Sequence, residues 1–406
     1  MLHQLLISVI KLEIFFLVVS TQTERIIRNA TITNTASNDI WSRKINNFNF
    51  CDDTLATLNA LKELGAEFEA DESSVTFIKR GSPKKKPIIQ VESSGSTLRM
   101  LLPLAAYLCD EVTFIGNEDL FKRPLDVYIE MFNKNDVFTV VSNKSIKIRN
   151  RLKPGTFDVR GDVSSQFISG LLFLNAESGN KCNINVTTET VSTPYIEMTK
   201  QVIDDVMDLS KTECTIESDI SAASNFIVLG AFKGGFRLHN INKDSKQGDI
   251  KIIEILRDIG AKITAKQGYL EFLPSELKPL DIDIRNCIDL GPIIFVLASL
   301  INGTSKITGY ENLRYKESNR YDAIVNQLSE LGIKFKIKDK VLYITGNKDI
   351  KGHYVFKSYN DHRIVMALSI FAIVSGITAE IEGYKCVKKS YPTFFDALEE
   401  LGNEAN

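Results

Sequence analysis

Histidine is scarce in this 406-residue chain, with four in all, and the six cysteines (Cys51, Cys109, Cys182, Cys214, Cys287 and Cys386) lie far apart. No C-x-x-C pair occurs and no histidine stands at ligand spacing, which argues against a zinc framework or any other metal site. The cysteines are therefore expected to be reduced, mostly buried thiols. Charge of one sign is not in excess either: 49 basic against 51 acidic residues leave a formal charge of -2, so no global positive field would attract nucleic acid or an anionic membrane surface. Any anionic ligand has to be held by local basic clusters. The polar bias of a disordered chain is also missing, since 44% hydrophobic and 25% charged residues describe a globular protein with ample core, at a length that suits two domains.

One strongly apolar run lies at the start. Residues 5–19 resemble a signal or anchor segment, but Lys11 and Glu13 fall inside the run and no basic stretch precedes it. Each charge near the middle of a spanning helix costs about 2.5–3.5 kcal/mol. The expectation is a cytoplasmic protein with no membrane partner and an atypical segment over residues 1–20.

From Asp52 onward a unit recurs: an amphipathic helix, a leucine-containing last turn, a glycine, then a short strand rich in Ile, Phe or Val. Copies are LKELGAEFEA around Gly65, LRDIGAKITA around Gly260, LSELGIKFKI around Gly332 and LEELG at Gly402. Glycine in that place is the expected helix cap, because it enters the left-handed region at little cost. Strands such as KPIIQVES, KSIKIRN, NINVTTE and VLYITG alternate with helices such as SSQFISGLLFLNA, SAASNFIVLGAF and LGPIIFVLASLI, which means α/β layers. The helices beginning at Ser164 and near Leu290 are apolar over most of their turns and are predicted to be buried. A domain boundary is placed near Glu217.

Charged clusters punctuate residues 289–389 where strand patterns give way to helix patterns: Asp289 in CIDLGP, Lys316, Glu317 and Arg320 in YKESNR, Asp361, His362 and Arg363 in YNDHR, and Lys389 in KKSYP. Such junctions commonly carry catalytic groups. Each also has a plainer reading. Asp289 is either a helix N-cap or a general base. Glu317 and Arg320, three apart, are expected to share a helix face, as a surface salt bridge or as part of a site, with Lys316 at the helix entry. Asp361 is expected to orient His362 or to fix Arg363. In the first half, SSGSTLRM places Gly95 among hydroxyls before an apolar helix, the pattern of an anion site or of a serine cap. Arg99 and Arg123 can add charge-assisted contacts there. GDVSSQF repeats the pattern with Ser164, Ser165 and Gln166, and with Ser192 and Tyr195 in VSTPYIEM it points to a pocket for a phosphorylated, hydroxylated small molecule.

Taken in order, SGSTLR, KRPLD, SSQF, STPYIEM, DISAAS, QGD, DLGP, ENLRYKESNR, YNDHR and KKSYPTFF resemble the 5-enolpyruvylshikimate-3-phosphate synthase family, over Asp52 to Gly402. The resemblance implies a two-domain inside-out α/β barrel, each domain of three βαβαββ-type repeats. It implies a shikimate-3-phosphate-side domain over residues 21–216, and over residues 217–406 a domain carrying the catalytic carboxylates and the phosphoenolpyruvate-binding basic residues. Ser164, Ser165, Gln166, Ser192, Asn312 and Lys316 would hold shikimate 3-phosphate. Gly95, Arg123, Gln166, Arg320, Arg363 and Lys389 would hold phosphoenolpyruvate. Asp289 would be the base at the 5-hydroxyl and Glu317 the acid-base group at the phosphoenolpyruvate methylene, with Lys316 beside them. No cofactor or metal is implied, and a monomer acting on two small molecules is expected. A related transferase acting on UDP-N-acetylglucosamine shares the architecture, but STPYIEM and YKESNR suit the shikimate branch.

The chain departs from the family pattern near its start, where a Ser-Lys-Ser motif followed by arginine is expected and its lysine would contact both substrates. The region reads TQTERIIRNATITNTASNDIWSRKINNFNF instead. Thr21, Gln22 and Thr23, followed by Arg25 and Arg28, have the look of a remnant, although glutamine lacks the charge. The alternative is that MLHQLLISVI corresponds to the helix after the motif, with the true start upstream. The departure keeps open a second functional reading, a homologue that binds shikimate 3-phosphate but turns over poorly.

Overall fold

The structure, a computed structural model, describes residues 43–207, 212–347 and 349–404. The apolar run at 5–19 and the motif remnant at 21–28 lie outside the described residues. The chain divides into two compact units, with the boundary between Ile216 and Glu217.

In the first unit the order is β1 (Arg43–Asn46), α1 (Asp52–Glu63), β2 (Ala66–Ala70), β3 (Ser74–Arg80), β4 (Ile88–Glu92), α2 (Gly95–Leu108), β5 (Glu111–Gly116), a short helix at Glu118–Phe121, α3 (Asp126–Lys134), β6 (Phe138–Val141), β7 (Ser145–Arg149), β8 (Thr156–Val159), α4 (Ser165–Glu177), β9 (Asn183–Val186), α5 (Thr193–Met207) and β10 (Glu213–Thr215). The sheet β4-β5-β7-β6 is a complete βαβαββ copy: β4 runs parallel to β5 through the crossover helix α2, and the β6–β7 hairpin adds antiparallel to β5. The sheet β10-β1-β3-β2 has the same order, with β10 from the end of the unit in the place that β4 holds. The parallel pair β8-β9 supplies the first two places of a third copy.

The second unit continues with α6 (Ile220–Lys233), β11 (Arg237–His239), α7 (Lys251–Asp258), β12 (Lys262–Lys266), β13 (Tyr269–Leu273), β14 (Asp281–Asp283), α8 (Gly291–Leu300), β15 (Gly303–Thr308), α9 (Arg320–Glu330), β16 (Lys334–Lys338), β17 (Val341–Gly346), β18 (His353–Lys357), α10 (His362–Ser375), β19 (Thr378–Glu382) and α11 (Phe394–Glu404). Its sheets are β11-β13-β12, β14-β15-β17-β16 and the parallel pair β18-β19. The second of these repeats the topology of β4-β5-β7-β6.

Both units are inside out, with helices at the centre and sheets facing water. The sequence dictates this arrangement. All ten residues of α8 are buried, and its one hydroxyl, Ser299, donates to the Phe295 carbonyl of the preceding turn, so no polar face is left to present to solvent. The helices α6, α8 and α10 pack on one another, and the charged residues go to the strands: Lys334, Lys336 and Lys338 stand on the exposed side of β16.

The glycine caps fall where the repeat places them at Gly65, Gly260 and Gly332, with φ of +102°, +104° and +84°. Gly402 differs, because it lies inside α11 rather than after it. No disulfide joins the six thiols, and only Cys51, Cys109 and Cys287 are buried; the other three are half-buried, so fewer are buried than the apolar character of cysteine suggests. Among the described residues no helix is long and apolar enough to cross a membrane.

Candidate active site

In the second unit, one side chain organises the charged clusters. Arg320, the first residue of α9, is fully buried and spends its guanidinium on three carboxylates. Its Nε donates to Asp361 Oδ2 at 2.8 Å, Nη1 donates to Asp289 Oδ1 at 2.8 Å, and Nη2 donates to Glu317 Oε2 at 2.5 Å. Burial alone would lower the Arg320 pKa, but the charges of Asp361, Glu317 and Asp289 outweigh it and raise the value. Asp361 shows the opposite balance: burial works to raise its pKa, and Arg320 first, then His362, bring it below the ordinary value.

Further cations ring the carboxylates. Lys316 Nζ lies 3.2 Å from Asp289 Oδ1, Lys389 Nζ 3.5 Å from Glu317 Oε1, and Arg363 Nη2 3.9 Å from Asp289 Oδ2. Arg363 is buried, yet among the described residues its Nε and Nη2 have no hydrogen-bond partner. Four cations thus face three carboxylates, and a buried guanidinium with open donors is the natural seat of an anion.

Local chain geometry corrects three expectations. Asp289 is not a helix cap: it sits in a 3-10 turn, Ile288–Leu290, and the capping place of α8 belongs to Leu290, which makes no side-chain cap bond. The extra turn leaves the Asp289 carboxylate to Arg320 and Lys316. Glu317 and Arg320 do not share a helix, because Asn319 caps α9 by accepting from the Asp322 N–H at 3.1 Å and so stops the helix at Arg320. Their side chains still meet, in a buried network rather than a surface salt bridge. Asp361 neither orients His362 nor grips the Arg363 side chain. It caps α10 by accepting from the Arg363 backbone N–H at 3.0 Å, and its other bonds go to Arg320 and Ser318. His362 Nδ1 stays 3.8 Å from Asp361 Oδ1, and among the described residues neither imidazole nitrogen finds a hydrogen-bond partner. Burial, assisted by Arg363 and Lys389 and opposed by Asp361, holds that imidazole well below its ordinary pKa of 6.5. Asn312 is half-buried in the 3-10 turn Glu311–Tyr315 that leads to Lys316.

In the first unit the structure brings Gly95, Arg99, Arg123 and Gln166 together at the N-terminal ends of α2 and α4. A Cβ on Gly95 would lie 2.6 Å from Arg123 Nη1, so the guanidinium occupies the space that the glycine leaves. Arg99 Nη1 donates to Gln166 Oε1 at 3.1 Å, and its guanidinium carbon stands 5.3 Å from the Phe167 ring centre. Ser94 is the cap of α2, and its hydroxyl is linked to Thr97 Oγ1 at 2.7 Å, itself 2.7 Å from Thr57 Oγ1. Ser164 caps α4, receiving the Gln166 N–H at 3.3 Å, and Ser165 is buried behind it. Ser192 is buried just before α5 with φ of +57°, a conformation that costs a serine about 1–2 kcal/mol.

The model of EPSP synthase (3-phosphoshikimate 1-carboxyvinyltransferase) matches residues 20–208 and 203–398. The 3-phosphoshikimate 1-carboxyvinyltransferase of Clostridium kluyveri is 38% identical over 382 residues, 89% of each chain. That of a Clostridium botulinum strain is 36% identical over 385 residues, 88% of this chain and 89% of its own. The chain belongs to the EPSP synthase family.

Solved structures agree on the architecture of the EPSP synthase family. The EPSP synthase of Acinetobacter baumannii matches with a TM-score of 0.67 at 21% identity, covering 94% of this chain and 93% of its own. The enolpyruvyl transferase NikO of Streptomyces tendae matches with a TM-score of 0.66 at 14% identity, over 97% and 93%. At those identities the likeness shows the fold. Sequence reasoning missed Ser318 altogether, and also Asp361 as the partner of Arg320. No periodicity or spacing marks a contact between residues 41 positions apart.

Proposed function

We propose that the chain transfers the enolpyruvyl group of phosphoenolpyruvate to the 5-hydroxyl of shikimate 3-phosphate and releases phosphate. The observation that carries this reading is the single buried guanidinium of Arg320 holding Asp289 and Glu317 on neighbouring nitrogens, inside a shell of Lys316, Arg363 and Lys389.

The chemistry asks for that set. Phosphoenolpyruvate is a poor electrophile until its methylene carbon is protonated, so an acid must stand by that carbon while a base takes the proton of the attacking hydroxyl. Asp289 takes the hydroxyl proton and Glu317 delivers one to the methylene. Oxygen then bonds to the central carbon, giving a tetrahedral intermediate. Glu317 recovers a proton from the new methyl group as the carbon–phosphate oxygen bond breaks, and the departing phosphate carries off the proton that Asp289 took, leaving the enolpyruvyl ether and both carboxyl groups as they began. No redox step occurs.

Both substrates are polyanions, and fixed cations offset their repulsion. Arg320, Arg363 and Lys389 are assigned to phosphoenolpyruvate, and so are Gly95, Arg123 and Gln166. Ser164, Ser165, Gln166, Ser192, Asn312 and Lys316 bind shikimate 3-phosphate. The unit ending at Ile216 is the shikimate-3-phosphate side, and the unit from Glu217 carries the carboxylates. The protein works as a cytoplasmic monomer.

The test is phosphate release by the purified chain with each substrate omitted in turn. Release that requires both supports the reading. The region without Ser-Lys-Ser favours a second reading, a homologue that binds but turns over poorly; no phosphate above background, with stabilisation by shikimate 3-phosphate retained, would select it.

A further inference from the structure

We infer that Ser318 is a positioning residue for phosphoenolpyruvate, acting through Asp361 on Arg320. The inference rests on the reaction proposed above. Ser318 stands in the non-helical stretch between Glu317 and the start of α9, half-buried, and its hydroxyl donates to Asp361 Oδ2 at 3.0 Å. The same oxygen receives Arg320 Nε at 2.8 Å. The other oxygen, Oδ1, receives the Arg363 backbone N–H at 3.0 Å and Arg320 Nη2 at 3.4 Å.

Each oxygen of Asp361 therefore carries one bond to Arg320 and one bond to a different piece of chain. The carboxyl torsion of an aspartate is broad and soft. Two anchors, one on each oxygen, fix the carboxylate plane, and that plane sets the guanidinium of Arg320. The backbone anchor comes with the cap of α10 and no side-chain substitution removes it. The Ser318 hydroxyl is the adjustable one, and it also ties the stretch bearing Lys316 and Glu317 to the start of α10. Because Arg320 is assigned to phosphoenolpyruvate and not to shikimate 3-phosphate, loosening it should separate the two substrates.

The experiment is initial-rate phosphate release by the full chain and by Ser318→Ala and Ser318→Thr, with each substrate varied at saturation of the other. Losing one hydrogen bond to a charged group should raise the KM for phosphoenolpyruvate about tenfold in the alanine variant. The KM for shikimate 3-phosphate and the melting temperature should hardly move. Threonine keeps the hydroxyl and should restore most of the loss. Equal rises in both KM values, no change at all, or a threonine variant as impaired as alanine would each overturn the role. If the unsubstituted chain releases no phosphate, the reaction itself is refuted. Calorimetric binding of phosphoenolpyruvate in the presence of shikimate 3-phosphate then decides for Ser318: equal affinity in the parent and the alanine variant, or no binding in either, overturns it.

Discussion

Arg320 and Asp361 form a fully buried ion pair, Nε to Oδ2 at 2.8 Å, between the first turn of α9 and the cap of α10. Breaking such a pair from one side leaves a charge in the core, which typically costs about 3–5 kcal/mol. Asp289 and Glu317 still face Arg320, so Asp361→Ala should fall near 3 kcal/mol, including the lost cap. Asp361→Asn keeps a capping oxygen and should lose less. Urea denaturation of both variants checks this, and an alanine variant as stable as the parent would remove Asp361 from the structural argument.

His362 predicts a pH dependence. Its folded pKa lies below the ordinary 6.5, so on acidification the unfolded chain takes up a proton that the folded chain refuses. Stability should fall as the pH drops below about 6.5, by at most about 1.4 kcal/mol per pH unit for one proton. Asp361, also lowered, adds its own loss only below its ordinary value of 3.8, as the pH falls through its folded pKa. Unfolding free energies between pH 7 and 5 should therefore flatten in His362→Asn. Equal slopes in variant and parent would show that this imidazole does not titrate on unfolding.

Asp289→Asn and Glu317→Gln retain shape and an accepting oxygen for Arg320 but remove the base and the acid. Turnover should drop by about 10²–10⁴, while melting moves by only a few degrees. Rates of phosphate release set against melting curves separate chemistry from folding. Parallel losses of both would make the carboxylates structural.

Gly95→Ala would put a methyl 2.6 Å from Arg123 Nη1, the flexible end of a side chain, so the guanidinium should yield and the fold should not. The expected result is a KM for phosphoenolpyruvate raised about tenfold with an unchanged melting temperature. An unaltered KM would separate Gly95 and Arg123 from that substrate.

Much of this protein is written in local pattern. The apolar run of α8, the serine caps of α2 and α4, and the glycines after α1, α7 and α9 follow from helix periodicity and from the torsions a residue tolerates, which nearby residues decide. The ordered motifs also carried the family. The local reading failed at helix starts: Asn319 rather than Lys316 opens α9, and a 3-10 turn separates Asp289 from α8.

Which charges meet was not written locally. Arg320 finds Asp361 across 41 residues and Asp289 across 31 because α8, α9 and α10 bring their N-terminal ends to one place. Ser318 acquires a partner by the same convergence. A charge in a sequence carries no address for its partner, since Coulomb attraction acts on distance in space and only the packed helices supply that distance.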